Sequence, residues 1–162
     1  MWLLLAGLVA AAPAVLFGLF RVWAWWMNRR CVFCAIQDGK LTARFVEGFA
    51  DDTLLAFHDI RPGGETHVLV VPRQHIRDIG QVRGVTLLRD MRAAAERVML
   101  LLRLDPRETE LVFTRPPFNT VFHLHLHVVH RPFRSISGVL RGWLGVSHYP
   151  ALPIDAAIAR LK

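Results

Sequence analysis

Cysteine is scarce in this chain, with two residues among 162. So few cysteines exclude a disulfide scaffold as the organising feature of the fold. The sequence also has no internal repeat and no low-complexity tract. Its length suits one domain of ordinary size, with a core large enough to fold alone.

Acidic residues are outnumbered by basic ones, which gives a formal net charge of +7. Almost all of the basic residues are arginines. An excess of positive charge favours anionic partners such as nucleotides, nucleic acid or membrane headgroups. The charge does not choose among these partners, and a solvated basic surface is the alternative interpretation.

Charged residues are absent from Met1 to Phe20. Twenty helical residues at about 1.5 Å each span about 30 Å, which is the thickness of a bilayer core. Tryptophans and arginines follow, as is typical of a helix that leaves the membrane at the headgroups. We therefore predict a transmembrane anchor over residues 1–28 and a second domain over residues 29–162. The flanking residues are Arg21, Trp23, Trp25, Trp26, Arg29 and Arg30.

Two alternatives to an anchor exist for this segment. A cleaved signal peptide carries a basic stretch before its apolar run, and no lysine or arginine precedes this one. A buried core helix is rarely so long and so uniformly apolar. Because basic flanks stay on the cytoplasmic side, we predict a single-pass membrane protein whose second domain faces the cytoplasm.

The remaining sequence predicts an α+β domain with an antiparallel sheet. Alternating and β-branched runs indicate strands, and an apolar stripe with helical spacing indicates a long helix over residues 86–102. A short terminal helix is predicted after Pro153. The predicted strands cover residues 45–49, 53–58, 66–71, 110–114 and 120–129.

The last long strand carries histidine at three alternate positions, His123, His125 and His127. Side chains alternate between faces along a strand, so the three imidazoles share one face while Leu124 and Leu126 bury on the other. Three interpretations compete: a metal site made from all three rings, covalent catalysis by one imidazole assisted by its neighbours, and a solvated polar face. The solvated face is the weakest, because threonine or valine would suit a strand better.

The segment His123–Val129 resembles the signature of the histidine triad superfamily. Residues 57–76 and residues 31–36 resemble the other sequence blocks of that family, in the expected order. Pro116-Pro117-Phe118, just before the triad, is similar to the corresponding segment of Hint-type nucleotide-binding proteins.

The resemblance implies five antiparallel strands with two helices, usually in a homodimer that forms one ten-stranded sheet. It implies a hydrolase similar to adenosine 5'-monophosphoramidases, which cleaves phosphoramidates or other nucleotide conjugates at the α-phosphate. His125 would be the nucleophile and would carry a nucleotidyl intermediate, and His127 would bind phosphate oxygens. A neutral imidazole suits this role at pH 7.

The same resemblance implies contacts to a purine nucleotide. Asp59 is suited to the ribose hydroxyls. Asn119 is expected to contact the nucleotide, and the hydroxyl of Thr120 is expected to serve the leaving group. Hint-type proteins often carry glycines just before the triad, and their absence here changes how closely the backbone approaches the phosphate. The candidates for an adenine slot, with plain core as the alternative, are Phe33, Ile36, Leu41 and Ile60.

Cys31 and Cys34 have the spacing of a zinc knuckle, although such a pair is also compatible with a redox-active or an inert role. The resemblance implies a structural zinc ion that this pair holds together with His75 and His123, and no catalytic cofactor. We expect His67 to be a buried, hydrogen-bonded histidine near the site.

Two other functions remain open within the same family. One is a nucleotidyl transferase, and the other is a non-catalytic nucleotide-binding adaptor recruited to a membrane. An intact His125 argues against the adaptor. No nucleic-acid partner is expected, because the sequence has no nucleic-acid-binding module. The single cysteine pair is the only feature with zinc-finger spacing.

Overall fold

The fold is built on a five-stranded antiparallel sheet. The structure, a computed structural model, describes residues 31–116, 119–132 and 151–161. Contacts divide the chain into two units, Met1–Cys31 and Val32–Lys162, and the sheet belongs to the second. Its strands are β1 (Leu54–His58), β2 (Thr66–Pro72), β3 (Thr109–Thr114), β4 (Leu126–His130) and β5 (Ala151–Pro153), in the order β1-β2-β4-β3-β5. The prediction of an α+β fold with an antiparallel sheet is confirmed.

Three α-helices are described: α1 (Val32–Gln37), α2 (Thr86–Leu101) and α3 (Ile154–Arg160). Helix α2 covers one face of the sheet, and its apolar stripe is fully buried there at Leu88, Met91, Ala95 and Val98. Because the stripe recurs every three to four residues, one side of the helix enters the core and the arginine-rich side stays outside. The predicted long helix and the short terminal helix are both confirmed.

The predicted strand over residues 45–49 is wrong. Only one isolated bridge, between Phe45 and Phe57, joins this segment to the sheet. Gly48 has a φ angle of 75°, and the Phe49 amide donates to the Val46 carbonyl at 3.2 Å. The chain therefore turns back before a ladder can form, since a positive φ interrupts an extended strand.

The predicted strand over residues 120–129 begins later than expected. Pairing with β2 starts at Leu126, opposite Val70, and runs to His130. Upstream, the Leu124 amide donates to the Ile76 carbonyl at 2.6 Å instead of to β2. His123 and His125 therefore lie in the irregular segment before β4, and only His127 lies within the strand.

Strand β5 was not predicted, and it pairs with β3 from Val112↔Pro153 to Thr114↔Ala151. Three residues are too few for a periodic pattern to indicate a strand. The fifth strand of the sheet is thus a C-terminal segment rather than residues 45–49. The predicted homodimer stays a prediction.

The predicted membrane anchor, residues 1–28, lies outside the described residues. Among residues 31–116, 119–132 and 151–161, no helix has the length and apolarity needed to cross a membrane. Helix α2 has 16 residues, which gives about 24 Å against the roughly 30 Å of a bilayer core. This finding contradicts the prediction of a single-pass membrane protein with a cytoplasmic domain, and that prediction is withdrawn.

Asp51 connects the start of β1 to helix α2. Its Oδ1 accepts hydrogen bonds from the Thr53 amide, the Thr53 hydroxyl and the Leu54 amide, each at 2.9 Å. Its Oδ2 pairs with the Arg97 guanidinium. Partial burial raises the pKa of the Asp51 carboxyl, but these hydrogen bonds outweigh it and lower the pKa to about 2.

We expect Asp51→Asn to lower the free energy of unfolding by about 1–2 kcal/mol at pH 7. The folded-state pKa lies below the ordinary value of 3.8. The carboxylate therefore stabilises the fold fully above about pH 4, and this contribution is lost as the pH falls through 2. Urea unfolding of the wild type and of Asp51→Asn between pH 7 and pH 2 measures this contribution. Asp38→Asn is the control, because the partner of Asp38 is the exposed Lys40. A difference between wild type and Asp51→Asn that does not change with pH would contradict this account.

Candidate active site

His125 has its ring held in one tautomer. Its Nδ1 lies 2.6 Å from the carbonyl oxygen of His123. A carbonyl only accepts, so Nδ1 carries the proton and Nε2 presents a lone pair. Burial lowers the pKa of His125 below its ordinary value of 6.5, against the opposing effects of the His123 carbonyl and the Asp59 charge. The ring is therefore neutral at pH 7, and its Nε2 can act as a nucleophile.

A narrow cleft opens beside His125 between the end of β3 and the segment before β4. Its lining includes Thr114, Asn119, His123 and His125. The His127 ring lies beside the His125 ring, with centroids 4.7 Å apart. The Thr114 hydroxyl lies 3.1 Å from Nε2 of His127. The His127 ring thus contacts two residues that line the cleft, His125 and Thr114.

Asn119 brings an unsatisfied amide to this cleft. Its side chain is buried at 7% exposure, and neither its oxygen nor its nitrogen has a hydrogen-bond partner among the described residues. An unpaired buried amide costs about 1–3 kcal/mol, so such groups are rare unless a ligand satisfies them. The sequence predicted Asn119 as a nucleotide contact, and its unpaired state is compatible with that role.

Thr120 is exposed, and it is not among the cleft-lining residues in the described part of the chain. The hydroxyl that contacts the triad is that of Thr114, which sequence reasoning missed. The sequence signal for Thr114 was its position at the end of a strand rich in β-branched residues. A purely structural threonine suits that position equally well.

One of the predicted adenine-slot residues contacts His125. Phe33 of α1 is buried and packs edge-on against His125, with ring centroids 5.3 Å apart. Leu41 and Ile60 are exposed, at 48% and 88%, so the core interpretation is wrong for these two. Phe45, which sequence reasoning missed, is also 49% exposed and contacts Phe57 edge-on. Ile36 is partly buried.

Asp59 lies at the end of β1, where its side chain is 19% exposed. Its Oδ1 accepts the Arg61 amide at 2.8 Å. Its Oδ2 lies 3.5 Å from Nδ1 of His67. The carboxylate therefore has a fixed orientation near the triad.

A second group of side chains brings together the predicted zinc ligands. One ligand atom from each of Cys31, Cys34, His75 and His123 lies within 4.8 Å of the others. The Cys34 sulfur is 3.3 Å from Nδ1 of His75 and 3.6 Å from Nδ1 of His123. A tetrahedral zinc ion with Zn–S of about 2.3 Å and Zn–N of about 2.0 Å gives S···N distances of about 3.5 Å.

The His123 ring is oriented for this role. Its Nε2 donates to the Pro72 carbonyl at 2.8 Å, which leaves the Nδ1 lone pair directed at the Cys34 thiol. Burial, with smaller effects from His75 and His125, lowers the pKa of His123 to about 4. A neutral imidazole whose other nitrogen donates to a carbonyl is the usual form of a metal-binding histidine. The donor set fits zinc.

Comparison with known proteins defines the class. The family model "Scavenger mRNA decapping enzyme C-term binding" matches residues 30–139. The bifunctional adenosine 5'-phosphosulfate phosphorylase/adenylylsulfatase HINT4 of Arabidopsis thaliana is 33% identical over 66% of this chain and 74% of its own length. The adenosine 5'-monophosphoramidase HINT3 of Xenopus tropicalis is 30% identical over 82% of this chain and 87% of its own length.

Solved structures agree with this result. A HIT family hydrolase from Legionella pneumophila Philadelphia 1 has a TM-score of 0.59 and 32% identity, over 67% of this chain and 99% of that one. A HIT family hydrolase from Clostridium thermocellum has a TM-score of 0.57 and 28% identity, over 66% and 96%. The chain therefore belongs to the histidine triad superfamily.

Proposed function

We propose that this chain is a nucleotide hydrolase that cleaves nucleotide conjugates, such as nucleoside phosphoramidates, at the α-phosphate. The observation that carries the proposal is the tautomer of His125, which leaves a lone pair on Nε2 of a ring that lines a cleft together with other hydrogen-bonding groups. The names of two relatives support it, since one is an adenosine 5'-monophosphoramidase and the other an adenylylsulfatase.

The reaction proceeds in two displacements at phosphorus. Nε2 of His125 attacks the α-phosphorus, the bond from phosphorus to the leaving group breaks, and the leaving nitrogen or oxygen takes a proton from solvent, which the water of the second displacement later returns. The His123 carbonyl stabilises the positive charge that develops on the His125 ring, because it accepts the Nδ1 proton. Water then attacks the same phosphorus and releases the nucleotide and neutral His125. His127 donates from Nε2 to oxygens of the phosphoryl group.

The proposed nucleotide contacts combine apolar and polar side chains. The base lies against Phe33, Ile36, Leu41 and Ile60, two of which have exposed apolar surface for it to cover. Asp59 accepts from the ribose hydroxyls, and Asn119 binds beside the phosphate. A purine gains more from this surface than a pyrimidine, because stacking and burial increase with area.

The test is release of AMP from adenosine 5'-phosphoramidate and from adenosine 5'-phosphosulfate by the purified chain. We expect turnover of at least one of them. Binding of AMP without turnover of either would favour a non-catalytic nucleotide-binding protein.

A nucleotidyl transferase is the second candidate, because the Arabidopsis relative is named a phosphorylase as well as an adenylylsulfatase. In that case phosphate replaces water in the second displacement. Added inorganic phosphate would then convert the product from AMP to ADP.

We further propose that Cys31, Cys34, His75 and His123 hold a structural zinc ion. The S···N distances at Cys34 and the orientation of the His123 ring support this assignment. The ion would link the start of α1 to the segment that carries His125. No step of the reaction uses it.

Asn119→Ala is expected to lower kcat/KM by about 10- to 100-fold, because the amide binds substrate. Its free energy of unfolding should stay equal or rise, because an unpaired buried amide is removed. Steady-state kinetics and urea unfolding measure the two effects. Asn119→Asp keeps the shape but loses the N–H donors, so its kinetic loss should be at least as large. A clear loss of stability with unchanged kinetics would assign Asn119 to the fold alone.

A further inference from the structure

Arg77 is a positively charged side chain at the cleft that the proposed reaction does not use. It lines the cleft together with Asn119 and His125. Asn119 already indicates a ligand there, because its buried amide has no partner among the described residues. The Arg77 side chain is 50% exposed. A half-exposed guanidinium keeps part of its hydration, so it can contact a ligand in the cleft without the cost of full burial.

The backbone around Arg77 is fixed against the segment that carries the histidine triad. The Leu124 amide donates to the Ile76 carbonyl at 2.6 Å, one residue before Arg77. The Arg77 amide donates to Oε1 of Gln81 at 3.2 Å. These two bonds hold the base of the Arg77 side chain beside the triad, so the fold itself sets where the guanidinium can reach.

The guanidinium is oriented by one aromatic ring and one carboxylate. Its Cζ atom lies 5.0 Å from the centroid of the Phe122 ring, within the range of a cation–π contact. Its Nε lies 3.7 Å from Oδ2 of Asp78. Arginine has five N–H donors in a rigid fork, so its two terminal nitrogens can serve an anion while Nε faces the carboxylate.

Asp78 places a negative charge at the same cleft, which it also lines. Its Oδ1 accepts the Gly80 amide at 2.9 Å and caps the short 3-10 helix Ile79–Gln81. Its side chain is 15% exposed, so Arg77 is the more exposed group of the pair. An anion in the cleft therefore meets the guanidinium first, and without Arg77 the Asp78 carboxylate would repel it.

The cleft does not include the residues proposed to bind the base. None of Phe33, Ile36, Leu41 and Ile60 is among the described residues that line it. Besides its own oxygens, the α-phosphorus of a conjugate carries only two groups, the nucleoside and the leaving group. When the base lies against those four residues, the leaving group is the part of the substrate that remains for the cleft.

We propose that Arg77 binds the leaving group and makes the site selective for conjugates that release an oxyanion, such as sulfate or phosphate, over those that release a neutral amine. This selectivity rests on the proposed function, because it assumes attack by His125 on the α-phosphorus. The planar guanidinium matches two oxygens of an oxyanion at once, and charge-assisted hydrogen bonds are roughly twice as strong as neutral ones.

The reaction strengthens the contact between Arg77 and an anionic leaving group. As His125 forms its bond to phosphorus, the bond from phosphorus to the leaving oxygen breaks and its electron pair goes to that oxygen. A sulfate that carries one negative charge in the intact conjugate gains a second one at this step. An interaction that is stronger in the transition state lowers the barrier, so Arg77 should affect kcat as well as KM.

Two substrates that differ only in the leaving group test the selectivity. Arg77→Met removes the charge and should lower kcat/KM for adenosine 5'-phosphosulfate by about 10- to 30-fold. For adenosine 5'-phosphoramidate, the same variant should stay within about threefold, because a neutral amine gains little from the charge. Arg77→Lys keeps the charge without the fork and should recover part of the loss.

Arg83→Met is the control for net charge, because Arg83 is exposed and is not among the described residues that line the cleft. It should leave both substrates within about twofold, since salt screens an exposed charge outside the cleft. The ratio of the two kcat/KM values within one variant does not depend on how much of the protein is folded. Equal effects of Arg77→Met on both substrates would overturn the proposal.

Binding of two uncleaved ligands separates this proposal from the proposed function, because it needs no turnover. α,β-Methylene ADP has an anionic group in the leaving-group position, whereas the methyl ester of AMP has a neutral one. Arg77→Met should weaken binding of the first by about 5- to 10-fold and of the second by less than about twofold. An inactive wild type that shows this difference would refute the hydrolase and keep the anion contact at Arg77. An active wild type without this difference would refute the contact and keep the hydrolase.

Discussion

His125→Asn is expected to lower kcat/KM for nucleotide conjugates by about four to six powers of ten. Asparagine removes the Nε2 lone pair of His125, so no covalent intermediate can form. Nucleotide affinity should change little, because the apolar surface, Asp59 and Asn119 remain. Single-turnover kinetics and AMP titration measure the two effects separately.

The matched control is His130→Asn. His130 lies at the far end of β4 and contacts the Thr109 hydroxyl at 3.0 Å instead of the cleft. Its replacement should leave kcat/KM within about threefold, since His130 is not among the described residues that line the cleft. Near-normal turnover in His125→Asn, or an equal loss in His130→Asn, would refute the assigned mechanism.

Removal of zinc is expected to cause the second large effect, a fall in the thermal midpoint of roughly 10 °C. Zinc at about 1,000 times its Kd stabilises the fold by about 4 kcal/mol. For a domain of this size, each kcal/mol corresponds to about 2–4 °C. Calorimetry before and after treatment with a strong chelator measures the shift, and zinc should reverse it.

Cys34→Ser is the matched variant, because it removes one ligand and should abolish the response to chelator. His130→Asn should respond like the wild type. At temperatures well below its thermal midpoint, the chelated protein should keep its activity within a few-fold, because the proposed reaction uses no metal. Folded protein that loses activity on chelation and regains it with zinc would point instead to a catalytic metal at the triad.

The sequence predicted which side chains before β4 enter the hydrophobic core better than it predicted the backbone of that segment. The alternation of Leu124 and Leu126 with the histidines correctly placed both leucines in the core. The extent of β4 depended on contacts that no local pattern contains. The Pro72 carbonyl accepts from His123, and the Ile76 carbonyl accepts from Leu124, so the chain leaves the ladder before Leu126.

Thr114 was missed because its contact with the triad is long-range. It lies on β3 and contacts His127 of β4, which in turn contacts His67 of β2. A strand threonine is unremarkable until its neighbours are known. Exposure of Phe45 and Ile60 was equally unpredictable, because apolar type alone does not separate core from binding surface.

The apolar run at the N-terminus shows that hydropathy alone was a poor guide to function. Length and lack of charge in residues 1–20 predicted a membrane protein, and the described part of the chain contradicts that prediction. Hydropathy reports on burial of side chains, whereas the candidate active-site residues were indicated by spacing and chemical type.

The central claim is a nucleotidyl group on His125, and peptide mass mapping after rapid acid-free quenching tests it most directly. The full chain is mixed with adenosine 5'-phosphoramidate, stopped within the first turnover and digested. We predict an adenylyl group on the peptide at His125, absent from His125→Asn, which decays with water at least as fast as the enzyme turns over. Turnover without any adduct, or an adduct on His123 or His127, would contradict the account.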